Sequence, residues 1–378
     1  MNEISNSDSP PAGIVPAGDV EALFQRGLRH YKGRGVAQDY AEAIRWLEPA
    51  AAQGHVEAEY YLALARFHTR PETERDDAEF FQIVLRAAEK GVAAAQCTLG
   101  VCYARGTGVP KDAAAAFQWI HLAAKQGCIE ALHYLGEIYR DGFGVERDDI
   151  EALVWFQRAA RRGYATAQRE LGVWFQKGRC VPKDHVEAVK WFRLAAEQGD
   201  AAAQSELGFC YDCGKGVAQD RAVAVEWYRK AAAQGLASAQ FLLGDCYRSG
   251  EGVPQDPAEA VRWLRLAAEQ GYPPAQFRLG NCYEDGAGVP ADPVQALAWY
   301  RKAADQGFDH AMCIVGDWYR QGIGVAVDMV EAARWYRRAA ELGNWTAQHN
   351  LGVCYEKGLG VPKNLAEARR WFRKTGEE

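Results

Sequence analysis

A tryptophan recurs every 36 residues through the greater part of this chain: Trp119, Trp155, Trp191, Trp227, Trp263, Trp299, Trp335 and Trp371. A fixed period of that size restricts the fold to a stacked array of one supersecondary unit, each copy leaning on the next. The unit is clearest at 239–274. It reads Ala239-Gln240-x-x-Leu243-Gly244-x-Cys246-Tyr247, then Gly250-x-Gly252-Val253-Pro254, then Asp256, Ala260, Trp263, Ala267-Ala268 and Gly271.

Each part of that frame has a local meaning. Ala239, Leu243, Cys246 and Tyr247 fall at i, i+4, i+7 and i+8, which is one face of a helix. Gly250 and Gly252 interrupt that helix, because glycine enters left-handed backbone without a Cβ clash. Asp256 is placed to cap a second helix, with Pro257 in its first turn and Glu259 completing a capping box. Asp39/Glu42, Asp148/Glu151, Asp184/Glu187, Asp328/Glu331 and Asn364/Glu367 repeat the pair. Ala260, Trp263, Leu264, Ala267 and Ala268 form the expected buried stripe of the second helix, and Gly271 ends it. One hairpin cannot bury both stripes alone, so neighbours must stack.

Later units begin at Ala95, Ala131, Ala167, Ala203, Ala239, Ala275, Ala311 and Ala347 with no insertion. The expectation is one solenoid over residues 20–378, about ten units. The first starts near Val20. The second, 58–94, is degenerate. There Ala63 replaces the helix glycine, the connector 68–77 has no glycine, and Ile83 holds the tryptophan place one residue late. Drift of this kind is expected near the end of an array. Residues 1–19 carry no Lys or Arg and no apolar stretch, but do carry Ser5, Ser7, Ser9 and Pro10-Pro11. They read as a disordered tail without the parts of a Sec signal.

The combination Leu-Gly-x-x-Tyr, Gly-x-Gly-Val, Asp, Trp, Ala-Ala and Gly at this period resembles the Sel1-like (SLR) repeat, a relative of the tetratricopeptide repeat, over about residues 21–378. The resemblance implies an all-α, right-handed α/α superhelical solenoid of helix-turn-helix repeats with first helices on the inner face. It implies an adaptor or scaffold surface. Secreted cysteine-rich members of that family pair cysteines between adjacent helices, and this chain lacks the regular pairing.

The remaining features exclude more than they assign. The net charge is −6, with 44 basic and 50 acidic residues intermixed, which argues against a nucleic-acid partner. No run approaches a membrane span. Of the ten cysteines, Cys102, Cys210, Cys246, Cys282 and Cys354 share one repeat position that Ile138, Trp174 and Trp318 fill elsewhere. That position is therefore core, where cysteine acts as a small hydrophobe. Cys210-x-x-Cys213, even with Cys180 nearby, lacks a full ligand set, so no metal or other cofactor is expected. Free thiols point to the cytoplasm, with export by a non-Sec route as the alternative. No His-Glu-x-x-His, Gly-x-Ser-x-Gly or phosphate loop occurs, and enzymatic activity is not expected. Asn344-Trp345-Thr346 matches a glycosylation sequon and reads as a helix cap.

Comparison of the units with one another separates scaffold from variation. Three first-helix positions change freely at i, i+4 and i+7. They supply the candidate partner-binding residues Phe209, Asp212, Phe241, Asp245, Arg248, Phe277, Asn281, Glu284, Asp317 and Arg320. By the geometry that the resemblance implies, these line the concave groove. Phe209, Phe241 and Phe277 are the expected anchors, with acidic and basic neighbours to orient a partner. Two function classes follow. One is a non-enzymatic adaptor gripping a peptide or protein segment. The other is a secreted effector or envelope-associated factor that uses the same surface on a host or cell-wall target. The last unit stops just past Trp371 and Phe372, leaving an apolar stripe that offers a surface for self-association. Circular dichroism should show about 60–70% helix, far above the usual share for globular chains. A strand content above a few per cent would overturn the fold class.

Overall fold

The computed structural model describes residues 17–376. The expected tail lies outside the described residues up to position 16. Its last three residues already belong to the first helix, Ala17–Lys32. Among the described residues there are twenty α-helices, one short 3-10 turn at Glu72–Glu74, and no strand. Two compact units are distinguished. One comprises the described residues through Trp174 together with Gly178–Pro182. The other comprises Phe175–Lys177 together with Lys183 onward. Within each, helices pack in chain order as antiparallel hairpins, whose connectors are glycine-rich except at 68–77.

The repeat at 237–272 shows how the sequence makes a hairpin. Its first helix, Ala237–Ser249, stops at Gly250, whose φ of 76° is left-handed and whose N–H returns to the Cys246 carbonyl. The connector then closes when the Asp256 N–H donates to the Tyr247 carbonyl at 2.9 Å. The Asp256 carboxylate caps the second helix, Pro257–Glu269, by accepting from the N–H groups of Ala258 and Glu259. Only half of the expected capping box forms. Glu259 does not reach back, since the Asp256 N–H is already committed to Tyr247. Its carboxylate instead accepts from Trp263 Nε1 at 2.9 Å. Glu42 does the same for Trp46 at 2.8 Å. Asn344 caps its helix as expected, accepting from the Ala347 N–H at 2.9 Å.

The second connector glycine serves stacking rather than helix termination. A Cβ on Gly252 would lie 2.2 Å from the Arg221 carbonyl, at the start of the preceding repeat's second helix. Gly216 meets the His185 carbonyl in the same way at 2.1 Å. A residue without a side chain allows that approach with no clash. Cys180 stands at this place in its own repeat, and among the described residues it is the non-glycine residue with left-handed backbone, at φ 54°.

Trp335 and Trp371 are buried, but several of the tryptophans that mark the period are not, Trp263 among them, which corrects the expected stripe. Trp227, Trp263 and Trp299 are half-buried. Lys230 and Lys302 lie over the faces of Trp227 and Trp299 at 3.9 and 3.8 Å, a cation–π arrangement at the rim. In most second helices the next residue is the core knob. Phe156, Phe192, Tyr228, Leu264, Tyr300 and Tyr336 are fully buried. Each step along a helix turns the side chain by about 100°. Leu264 therefore faces the first helix while Trp263 sits on the flank, held there by Glu259. The glycine of Leu-Gly-x-x-Tyr is the socket: a Cβ on Gly280 would come 2.5 Å from the Tyr300 ring, and one on Gly208 2.7 Å from Tyr228.

A buried amide ladder joins consecutive repeats. Gln240 Nε2 donates to the Ala232 carbonyl at 3.3 Å, and Gln240 Oε1 accepts from Gln270 Nε2 at 2.7 Å. Gln204 and Gln276 repeat both bonds. The ladder gives a second donor to carbonyls at the end of a second helix that already accept from the following glycine N–H, as Ala232 does from Gly235 at 3.0 Å. The degenerate second repeat still folds as a hairpin of Val56–Thr69 and Asp77–Glu89, with Val84 as its fully buried knob.

Two stability predictions follow from this packing. Tyr300→Ala should cost about 3–5 kcal/mol by opening a core cavity, with Trp299→Ala clearly milder. Cys180→Gly should stabilise by about 1 kcal/mol through relief of left-handed strain. Urea unfolding measures all three; a larger loss for Trp299→Ala would reverse the assignment of knob and rim.

Candidate interaction site

All ten residues expected to meet a partner lie in the second compact unit. Phe241 and Phe277 occupy one repeat position and are both half-buried. Phe241 packs its ring against Tyr272 at 5.7 Å between centroids. Phe277 packs against Tyr300 at 5.5 Å and Phe308 at 5.2 Å. Each ring thus has one face on the scaffold and part of its surface in solvent. Phe209 does not share their register. It stands one turn further along its helix, at the place that Asp245, Asn281 and Asp317 hold in the following repeats, with Lys215 over its ring at 4.8 Å.

The polar members have structural partners. The Tyr300 hydroxyl lies between two acceptors, Asn281 Oδ1 at 2.7 Å and the Glu284 carboxylate, which share its one hydrogen. The Tyr336 hydroxyl donates to Asp317 Oδ1 at 2.7 Å and accepts from Arg320 Nε at 3.2 Å. Asp245 pairs with Arg248 of its own helix at 2.8 Å and with Arg278 of the next repeat at 3.2 Å. These side chains therefore satisfy core knobs and stitch repeats together. Where Phe209 replaces the acceptor, the buried Tyr228 hydroxyl has no hydrogen-bond partner. Burial, and then the Asp212 carboxylate, push that hydroxyl far above the usual phenol range. Arg248, Arg278 and Asn281 also border a cavity of about 230 Å³.

A larger concavity occupies the first unit, where no site residue was expected. It encloses about 630 Å³, and its walls come mainly from four successive first helices, Ala17–Lys32, Val56–Thr69, Ala93–Arg105 and Ile129–Asp141. Tyr31, Tyr60, Tyr61, Phe67 and Tyr134 supply aromatic surface. The Tyr60 hydroxyl is spent within the wall, donating to the Ala94 carbonyl at 3.1 Å and lying 2.8 Å from Thr98 Oγ1. Burial, with Glu130 nearby, pushes the Tyr61 hydroxyl up to about 12. Lys32, Arg34 and Arg105 also line it, and burial draws the Lys32 ammonium below its usual range. The sequence signal was the aromatic enrichment of the degenerate repeat: Tyr60, Tyr61, Phe67, Phe80 and Phe81. In the repeat at 129–164, His133 takes the position of Phe241 and Phe277. Burial and the cations Arg140 and Arg169 pull it down to about 4, so it is neutral at pH 7.

All ten cysteines are free thiols. Cys210 is buried while Cys213 and Cys180 are exposed. Among the described residues, no group of three or more His, Cys, Asp or Glu side chains could hold a metal ion. Among them, too, no helix is long and apolar enough to cross a membrane.

The Sel1 repeat family model matches residues 20–55, 93–128, 129–164, 165–200, 201–236, 237–272, 273–308, 309–344 and 345–378. It passes over 56–92, the repeat whose sequence has drifted. Two solved structures resemble the chain over nearly its whole length. One is a Sel1 repeat protein from Oxalobacter formigenes, 34% identical, with a TM-score of 0.61, covering 93% of this chain and 97% of that one. The other is c5321, described as a protective antigen present in uropathogenic Escherichia coli strains and displaying an SLR fold. It is 33% identical, with a TM-score of 0.57, covering 94% of this chain and 84% of that one. No curated protein matches the chain. With nine matched repeats on a scaffold of stacked helical hairpins, the chain belongs to the Sel1 repeat family, whose members generally serve protein interaction.

Proposed function

We propose that this protein is a non-enzymatic adaptor that holds an extended segment of a protein partner along the first-helix face of its second unit, with Phe241 and Phe277 as anchors. The observation that carries the reading is the pair of half-buried phenylalanines at one repeat position in successive repeats. A ring fixed on one side by Tyr272, or by Tyr300 and Phe308, is pre-organised, so little conformational entropy is lost when its free surface is covered. Phe209 extends the apolar row from the neighbouring repeat. Asp212, Asp245, Arg248, Asn281, Glu284, Asp317 and Arg320 act from beside the anchors. Most of them are tied down by the Tyr hydroxyls and by one another, so they present fixed charges that select a partner more than they add affinity.

A second reading has one specific support. The similar Escherichia coli protein is described as a protective antigen, a role that requires exposure to a host. By that reading the same surface acts outside the cytoplasm, on a host or cell-wall target. A reporter fused after residue 19 and followed by fractionation separates the two: cytoplasmic retention supports the adaptor, and export supports the effector.

The anchors are tested with a displayed random-peptide library panned on the intact chain. Selected peptides should carry apolar side chains. Alanine at both Phe241 and Phe277 should weaken their binding by about 2 kcal/mol or more per anchor. Leucine at the same positions keeps most of the packing volume and should leave the melting temperature nearly unchanged, which separates lost contact from lost fold. Undiminished binding by the folded alanine variant would sink the assignment.

A further inference from the structure

Stacking brings two side chains into contact at positions n and n+31 of successive repeats. His133 meets Tyr164 with ring centroids 5.1 Å apart, Phe241 meets Tyr272 at 5.7 Å, and Phe277 meets Phe308 at 5.2 Å. Position n lies on a first helix, and position n+31 is the N-cap residue of the next first helix: Tyr164, Tyr272 and Phe308 each precede one. In the repeat that begins at Ala93, both places are cysteine. Cys97 lies on Ala93–Arg105, and Cys128 caps Ile129–Asp141. Their thiols lie close enough to shift each other's titration, and both line the 630 Å³ cavity of the first unit.

We propose that Cys97 and Cys128 are a redox-active dithiol, a modification site at which a peroxide converts two neighbouring thiols into one disulfide across adjacent repeats. The inference rests on no reading of the partner.

The two sulfurs differ in ways that assign their roles. Cys128 is half-buried on the cavity wall, whereas Cys97 is 4% exposed. The nearby Cys97 thiol draws Cys128 below the usual thiol range. Burial opposes this, as does the Glu130 carboxylate, to which the Cys128 thiol donates at 3.4 Å. Its neighbour Lys32 lies close enough to sense its charge. Cys97 is pushed well up by the nearby Cys128 and by burial, and stays protonated. A partly exposed thiol of lowered pKa beside a protonated second thiol is an arrangement that peroxide-reactive sites use. The Cys128 thiolate attacks one peroxide oxygen: an S–O bond forms, the O–O bond breaks, and hydroxide leaves to be protonated to water. Cys97 sulfur then attacks Cys128 sulfur; the S–S bond forms, the S–O bond breaks, and the Cys97 proton leaves with that oxygen as a second water. The two sulfurs together lose two electrons, and the peroxide gains them.

The product ties two consecutive first helices along the cavity wall, which should raise stability by restricting the unfolded chain. Cys313 provides an internal control. It occupies position n in a later repeat, but its n+31 neighbour is Asn344, so it should remain a thiol.

The test treats the full reduced chain with dilute hydrogen peroxide, followed by alkylation after denaturation and peptide mapping. The thiol count should fall by two, the cross-linked peptides should contain Cys97 and Cys128, and the melting temperature should rise by several degrees and fall back with dithiothreitol. Cys97→Ser should halt at a sulfenic acid on Cys128 that dimedone traps. Cys128→Ser should leave Cys97 unreacted. An unchanged thiol count overturns the proposal, as does a disulfide that maps elsewhere. So does cross-linking or oxidation of Cys97 that survives Cys128→Ser.

Discussion

The fold depends on a large residue of each second helix seated on a glycine of its partner helix. Tyr300 on Gly280 is the pattern, repeated by Tyr228 on Gly208, Tyr336 on Gly316 and Phe156 on Gly136. The glycine costs helix propensity, about 1 kcal/mol against alanine. Its return is a close approach between the two helices, which lets a fully buried aromatic ring fill the space between them. Everything else in the repeat is arranged around that contact. The capping aspartate sets where the second helix begins, and so which residue reaches the glycine. The connector sets the phase of one helix against the other.

A hairpin built this way still needs a neighbour, and two separate devices provide for one. The second connector glycine lets its backbone pass within van der Waals reach of the previous repeat's second helix. The glutamine ladder then covers carbonyls at the far end of that helix. One device is steric and admits glycine almost alone; the other is polar and lies in the interior, where an unmade hydrogen bond is expensive. Cys180 shows the first rule bent. Its backbone keeps the left-handed angle that glycine would take without strain.

The hairpins, their caps and their boundaries were legible in the sequence because each rests on a residue type with a narrow conformational or hydrogen-bonding role. The period was read from tryptophan, the most conspicuous residue, although the buried knob is its less uniform neighbour. Phe, Tyr, Leu, Ile and Val all serve as knobs, so the knob never stood out by identity. The interaction site was legible only in part. Variation between repeats nominated Phe241 and Phe277 as candidates, and nothing in that variation disclosed that Asn281 and Asp317 receive tyrosine hydroxyls. That knowledge requires the distance from one helix to the next. The first-unit concavity was hidden for another reason: its aromatic wall belongs to the repeat whose frame had drifted, where departure from pattern looked like decay.

Drift and function are easily confused in a repeat protein, and the second repeat shows why. It has lost the connector glycines and the tryptophan, yet Val84 still fills the knob place and Tyr60 still meets the next first helix through Ala94 and Thr98. What has been given up is uniformity of stacking; what has been gained is aromatic surface on the first-helix side. The same exchange occurs in miniature at Phe209. Placing a ring where other repeats keep an acceptor leaves the Tyr228 hydroxyl buried and unpaired, a loss on the order of 1–3 kcal/mol. An array of this many coupled repeats can carry such a local cost because each repeat is also held by its neighbours. The places where the frame is broken at a cost to stability, and apolar surface appears on the first-helix side, are therefore the places where a binding surface has room to form.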